Sequence, residues 1–254
     1  MKRSLLLAAA ASAAAAVAAT ASVLVQPAST RASAQVATSS TCSSPSFVTS
    51  QPFGGHTFGG YYVYNNEWNA SGYKVTQTLS ACGYNSWDVV ATMNNKAGDG
   101  AVKTYPNVQR NFSAVPISSL STLTSTFAEI DPGVGIYEFA YDIWLNGLAT
   151  SHSTEVMIWN ATHRQVPGGS EVGTVTLDGR DYTVWRSGGY VAFVATSAFR
   201  SGTIDFLPFF DYMASKGWIK TSAALDQICY GPELVSTAGA PATFQVTDFS
   251  VSSS

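Results

Sequence analysis

The clearest alternation of apolar and polar positions falls in two neighbouring runs, YEFAYDIWL from Tyr137 to Leu145 and TEVMIWN from Thr154 to Asn160. In an extended strand successive side chains point to opposite faces. Tyr137, Phe139, Tyr141 and Ile143 therefore share one face with Thr154, Val156 and Ile158, which reads as core. The other face carries Glu138, Ala140, Asp142 and Trp144 on one run and Glu155, Met157 and Trp159 on the next. If the two runs pair as a hairpin across NGLATSHS, Asp142 or Trp144 lies beside Glu155.

The rest of the mature chain is punctuated in the same way. Short runs of Tyr, Val, Thr, Phe and Trp alternate with turn clusters such as GGHTFGG, NNKAGDG, VPGGSE, LDGR and STAGAP, the pattern of an all-β sandwich. One run differs: Asp205 to Ser215, DFLPFFDYMAS, follows a 3.6-residue period and stops near Gly217. It predicts a single short helix with Pro208 in its first turn, where proline is tolerated.

The N-terminus has its own pattern. Lys2 and Arg3 precede an Ala- and Leu-rich run from Leu5 to about Val25, and Ala32-Ser33-Ala34 offers small residues to a signal peptidase. Residues 1–34 are expected to be a secretory signal, 35–41 a Ser/Thr/Ala lead-in, and 42–254 one domain, since about 220 residues suit one core better than two. A membrane anchor is the alternative, but no basic stop-transfer segment follows the apolar run. No membrane association is expected after cleavage.

Composition narrows the partner. Charged residues are 11% of the chain, the formal net charge is −3 and aromatics reach 12%, so there is no basic field for nucleic acid or anionic lipid. A neutral partner and a monomer are expected. Three cysteines fit an oxidising compartment, with Cys42 and Cys82 as the pair and Cys229 as a buried inert thiol rather than a reactive one. No CxxC, HExxH or Cys/His cluster points to a metal, no cofactor is implied, and the isolated His56, His152 and His163 lack the G-x-S-x-G of a serine hydrolase.

The face of Glu155, Met157 and Trp159 is the informative one. A carboxylate in line with a soft apolar side chain and an aromatic plate suits a sugar, whose C–H surface stacks on aromatic rings; the alternative is an outer face with one satisfied glutamate. Cleaving a glycoside requires a second carboxylic acid across the bond to protonate the leaving oxygen. Glu233 in CYGPELV is the candidate, its apolar setting raising its pKa, against an edge-strand glutamate that discourages edge pairing. Glu67 and Glu171 lie among polar turn residues and are weaker candidates.

These residues resemble glycoside hydrolase family 12, the compact endoglucanases and xyloglucanases. The likeness is carried by Tyr64, Asn65, Asn66 and Trp68, by AYDIW from Ala140, by EVMIW from Glu155, by YGPE, and by TDFSV from Thr247. It implies a β-jelly roll of two curved antiparallel sheets with one helix, an open groove across the concave sheet, and retaining hydrolysis of β-1,4-glucan such as cellulose, mixed-linkage glucan or xyloglucan. By this resemblance Glu155 takes the place of the nucleophile, Glu233 of the acid/base and Asp142 of the assisting carboxylate, while Asn66, Trp68, Met157 and Trp159 line the groove. Pro232 and Glu67 depart from the family pattern, which leaves the choice between plain and branched glucan open. The reading from a different class is a non-catalytic carbohydrate-binding jelly roll, which would keep the aromatic plates without needing the acid pair.

Overall fold

In the computed structural model, which describes residues 42–95 and 99–254, the alternating runs become strands of two stacked sheets. The expected signal segment and lead-in lie outside the described residues. In chain order the elements are β1 (Phe47–Thr49), β2 (Gly55–Phe58), β3 (Tyr61–Tyr64), β4 (Val75–Gly83), β5 (Ser86–Met93), β6 (Asn107–Pro116), β7 (Leu123–Ile130), β8 (Ile136–Leu145) and β9 (Thr154–His163). There follow β10 (Ser170–Leu177), β11 (Arg180–Ser187), β12 (Tyr190–Ala195), β13 (Ser201–Asp205), α1 (Leu207–Ser215), β14 (Ala224–Ser236) and β15 (Ala242–Ser253).

Among the described residues, six strands form one sheet in the order β1-β4-β5-β15-β7-β13, and nine form the other in the order β10-β11-β12-β9-β8-β14-β6-β3-β2. This is the expected jelly-roll sandwich with one α-helix. Its core lies between the sheets and is rich in aromatic rings: Tyr230 stacks parallel to Phe249, Tyr141 meets Phe206 edge-on, and Phe127 lies against both tyrosines. Each such contact is worth about 0.5–1.5 kcal/mol beyond the area it buries. The inward tyrosines bring a polar tip, and Tyr141 donates its hydroxyl proton to Ser125 at 2.9 Å.

The antiparallel expectation fails at one pair. β12 runs parallel to β9, with Tyr190 opposite Glu155 and Val194 opposite Trp159. The reason is the connection 164–169, which does not form a hairpin. It lies along the outer face of the large sheet, and β10 and β11 are added at the edge before β12 returns to pair with β9. Gly169 makes this path possible: its φ is +83°, and a Cβ there would stand 2.3 Å from the Arg186 carbonyl oxygen.

The helix begins two residues later than its pattern predicts. Asp205 closes β13, and its side chain accepts a hydrogen bond from the Leu207 amide at 3.1 Å, satisfying one of the amides that a helix start leaves free. Phe209, Phe210 and Met213 are buried. At the other end Gly217, with φ +69°, closes a Schellman motif in which the Trp218 amide bonds to Met213 O and the Gly217 amide to Ala214 O. The predicted disulfide, Cys42–Cys82, ties the first described residue to β4, and Cys229 is a buried free thiol.

Candidate active site

β8 and β9 form the predicted hairpin, with Trp144 opposite Glu155 and Asp142 opposite Met157. β14 lies on the other side of β8 and sets Cys229 opposite Asp142 and Glu233 opposite Glu138. Glu233 is therefore on an interior strand, which removes the edge-strand reading. Pro232, out of place in most central strands, falls in a gap of the β14–β6 ladder, which ends at Tyr230 and resumes only as an isolated bridge between Leu234 and Thr104.

In this register Glu155 is level with Trp144, and Glu233 is level with Glu138, six positions further along β8. A flat sheet would separate the two levels by about 20 Å along the strands. Yet Glu155 and Glu233 line the same two adjoining cavities, of about 380 and 440 Å³, so the sheet curves toward its outer face between them. A β-bulge sits between the two levels: Ala140 pairs with Trp159 and Phe139 with Ala161, leaving Asn160 as the extra residue, and bulges bend strands in this way. Asn160 is fully buried on the inner side. It has no register partner in β8, its carbonyl accepts from the Phe199 amide, and its side chain donates to Phe199 O at 2.9 Å and to Glu129 Oε1 at 3.2 Å.

The sequence-predicted residues gather around this groove. Asn66, Trp68, Asp142, Glu155 and Glu233 line one cavity, and Trp68, Glu155, Met157, Trp159 and Glu233 line the other. Trp68 is 56% exposed, as a stacking plate should be. Its loop is held from below: buried Gln77 donates to Asn65 O and Oδ1, Asn65 donates to Glu67 Oε1, and the Tyr105 amide bonds to Asn66 O. Glu67 is thus half-buried and partnered rather than a solvated turn residue. Met157 and Trp159 are nearly covered, packed with Ala140 and Ala192, and the indole N–H of Trp159 points at Met157 Sδ. They make the floor of the groove, not its rim.

Four carboxyl groups share this region, and they cannot all ionise. Burial, and secondly the charge of Glu233, pushes Glu155 up to about 7. Burial also raises Glu233, with a hydrogen bond from Glu138 working in the opposite direction. Asp142 is held well above the ordinary carboxylate range by burial, then by Glu155 and Glu233; the Trp144 indole donates to its Oδ2 at 2.9 Å, leaving Oδ1 without a partner. Glu138 is fully buried and is likewise raised, by burial first and Glu233 second. Such groups titrate together, and the protons belong to the cluster.

Three members of the site were not singled out by the sequence. Glu138 stood in the outward acidic row but had no identified partner. Tyr105 is buried under the groove and donates to Ala140 O at 3.1 Å, and Tyr190 faces the carboxylates from β12 opposite Glu155. Only topology reveals these two, because their local runs, TYPN and GGYVAF, carry no chemical signal. The histidines stand apart, with His56 stacked on Phe47 and His163 on Tyr137. No cluster that could hold a metal occurs among the described residues.

The family model for glycosyl hydrolase family 12 matches residues 59–253, a span that contains every groove residue named above. The chain belongs to glycosyl hydrolase family 12. It is similar to a xyloglucan-specific endo-β-1,4-glucanase A of Emericella nidulans, with 32% identity over 210 residues covering 77% of this chain and 87% of the relative. A probable xyloglucan-specific endo-β-1,4-glucanase A of Aspergillus clavatus is 30% identical, over 76% of this chain and 86% of the relative. Among solved structures, the xyloglucanase domain of NopAA, a type three effector from Sinorhizobium fredii in complex with cellobiose, superimposes with a TM-score of 0.74 at 27% identity, covering 83% of this chain and all of that one. An endoglucanase from Rhodothermus marinus has the same fold, with a TM-score of 0.71 at 24% identity over 82% of this chain and 99% of that one. As a family 12 member the protein is a glycoside hydrolase, an endo-1,4-β-glucanase, and the non-catalytic reading is set aside.

Proposed function

We propose that this family 12 enzyme is a secreted, retaining endo-β-1,4-glucanase that acts as a monomer and prefers xyloglucan to unbranched glucan. The observation that carries the mechanism is the pair Glu155 and Glu233, set on strands either side of β8 and lining one groove, with burial raising both carboxyl groups. In a retaining site the carboxyl groups stand about 5–5.5 Å apart, too close for water to intervene. Glu155 attacks the anomeric carbon while Glu233 gives its proton to the departing oxygen. Glu233 then takes a proton from the incoming water, and the glycosyl ester on Glu155 is released.

Asp142 assists by remaining protonated. With Oδ2 occupied by the Trp144 indole, its free Oδ1 is available to donate to Glu155 and steady the nucleophile's charge before attack. The exposed Trp68 holds a glucose ring by stacking. The preference for xyloglucan is supported by the relatives that carry that specificity in their names. Export is supported by the signal-like pattern of residues 1–34 and by the Cys42–Cys82 bridge, which suits an oxidising compartment.

Hydrolysis of xyloglucan, mixed-linkage glucan and carboxymethyl cellulose at equal concentration, followed by proton NMR of the first anomer released, tests this reading. A β-anomer released first, with the highest kcat/KM on xyloglucan, is expected. An α-anomer released first would exclude retention, and faster cleavage of the unbranched polymers would exclude the proposed preference.

A further inference from the structure

Glu138 is a carboxylic acid placed where none is needed for packing. It sits on β8 directly opposite Glu233 of β14, on the outward face, and lines the same cavity. Its exposure is zero, and neither of its oxygens has a hydrogen-bond partner of full geometry. Leaving a buried carboxyl unmatched is costly, so its surroundings decide what form it takes. Across β9 its neighbour is the uncharged Thr162. Glu233 faces it from β14, Asp142 stands four positions along its own strand, and Glu155 on β9 and Tyr190 on β12 complete the ring, with Glu138 contributing to the negative field felt by Tyr190. Of the cations on neighbouring segments, Lys103 is turned to Ala101 O and Asp99, and Arg164, bridged to Tyr137 beside Glu138, is exposed. The group that acts directly on Glu138 is Glu233, by charge and by a shared hydrogen bond.

We propose that Glu138 is a positioning residue for the acid/base: it keeps its proton throughout the reaction and offers it as a hydrogen bond to Glu233 whenever Glu233 is ionised. The proposal rests on the reading of Glu233 as acid/base. When Glu233 passes its proton to the leaving oxygen, the new carboxylate is met by the Glu138 O–H, which shares its proton without transferring it. The proton that restores Glu233 comes from the attacking water, so Glu138 begins and ends the cycle in the same state. A donor of this kind favours the ionised form of Glu233, offsetting the burial that would otherwise hold Glu233 protonated too firmly to act as an acid and leave it a poor base for water. The sequence marks this position only as another outward acid; the register of β8 against β14, 95 residues apart, turns it into a pair.

The test is the pH dependence of kcat/KM in Glu138→Leu and Glu138→Gln. Removing the donor in Glu138→Leu should move the alkaline limb, which reports Glu233, upward by about one pH unit, and Glu138→Gln, whose amide can still donate, should return the limb to its wild-type position. A lower rate with an unmoved limb in Glu138→Leu would overturn the proposal, because a purely structural role does not shift a titration. Glu233→Ala, assayed beside them on aryl cellobiosides with good and poor leaving groups, separates the two claims. If its loss does not deepen with the poor leaving group, the acid/base reading falls and this proposal with it; if it does deepen while the Glu138→Leu limb is unmoved, only the role of Glu138 falls. Should Glu138→Leu fail to fold, the infrared difference spectrum between wild type and Glu138→Gln at pH 7 decides the matter. Loss of a protonated carboxyl band supports the proposal, and loss of an ionised carboxylate band overturns it.

Discussion

At the scale of single residues, the groove separates plates from floor. Trp68 is exposed on a loop pinned by Asn65 and Gln77, whereas Trp159 is buried against Met157, Ala140 and Ala192. Trp68→Ala should therefore lower kcat/KM on soluble glucan about fivefold, the equivalent of about 1 kcal/mol of stacking, with the melting temperature unchanged. Lost thermal stability at full activity of the folded fraction would show that Trp68 belongs to packing. Glu155 and Asp142 were legible in sequence because a period of two sorts faces without any knowledge of topology, whereas Trp68, on a loop, was marked only by the family resemblance. Glu138, Tyr105 and Tyr190 were not, since what makes them part of the site is the identity of the strand beside them.

At the scale of elements, the bulge at Asn160 joins the core to the chemistry. It lies between the level of Glu155 and that of Glu233, and its inner anchor is Glu129 of β7, a carboxyl that reaches across from the small sheet. Burial first, and then the charge of Asp131, pushes Glu129 up to about 9, with Arg200 and Asn160 offsetting part of the rise. The unfolded chain releases this proton near 4.5 and the folded chain near 9, so in that window the folded state binds more protons and stability falls as pH rises. Wild-type protein should lose several degrees of melting temperature between pH 5 and pH 9, while Glu129→Gln, which keeps a polar group against Asn160, should lose less. Equal slopes in calorimetric scans would remove Glu129 as the source. Neither the bulge nor the parallel pairing of β9 with β12 could be read in advance: Asn160 looks like the next alternating residue of TEVMIWN, and the path of VPGGSE depends on Gly169 fitting against Arg186. The helix was legible apart from its first turn, where Asp205 serves the strand and caps the helix from there.

At the scale of the molecule, the disulfide and the chemistry are carried on different sheets. The disulfide joins Cys42 to the β1–β4 side of the six-stranded sheet, and the groove lies on the outer face of the nine-stranded one. A bridge across a sequence separation of 40 residues stabilises by about 4 kcal/mol in the chain-entropy view. The double variant Cys42→Ser/Cys82→Ser should lose most of that in urea unfolding yet keep its kcat/KM at 25 °C; a matching loss of activity would show that the small sheet shapes the groove. The all-β class and single helix were visible in the spacing of turn clusters, whereas the strand order was not, because pairings such as β14 with β8 close over long stretches of chain. In the proposed mechanism it is Glu155, in the groove, that forms the covalent bond to the sugar. Incubating the enzyme with a 2-deoxy-2-fluoro-β-cellobioside bearing a good leaving group should trap that ester, and mass spectrometry of the digested protein should place one added cellobiosyl group on the peptide containing TEVMIWN, at Glu155. A label on Glu233, or full inactivation of the enzyme with no sugar attached to either glutamate, would contradict it.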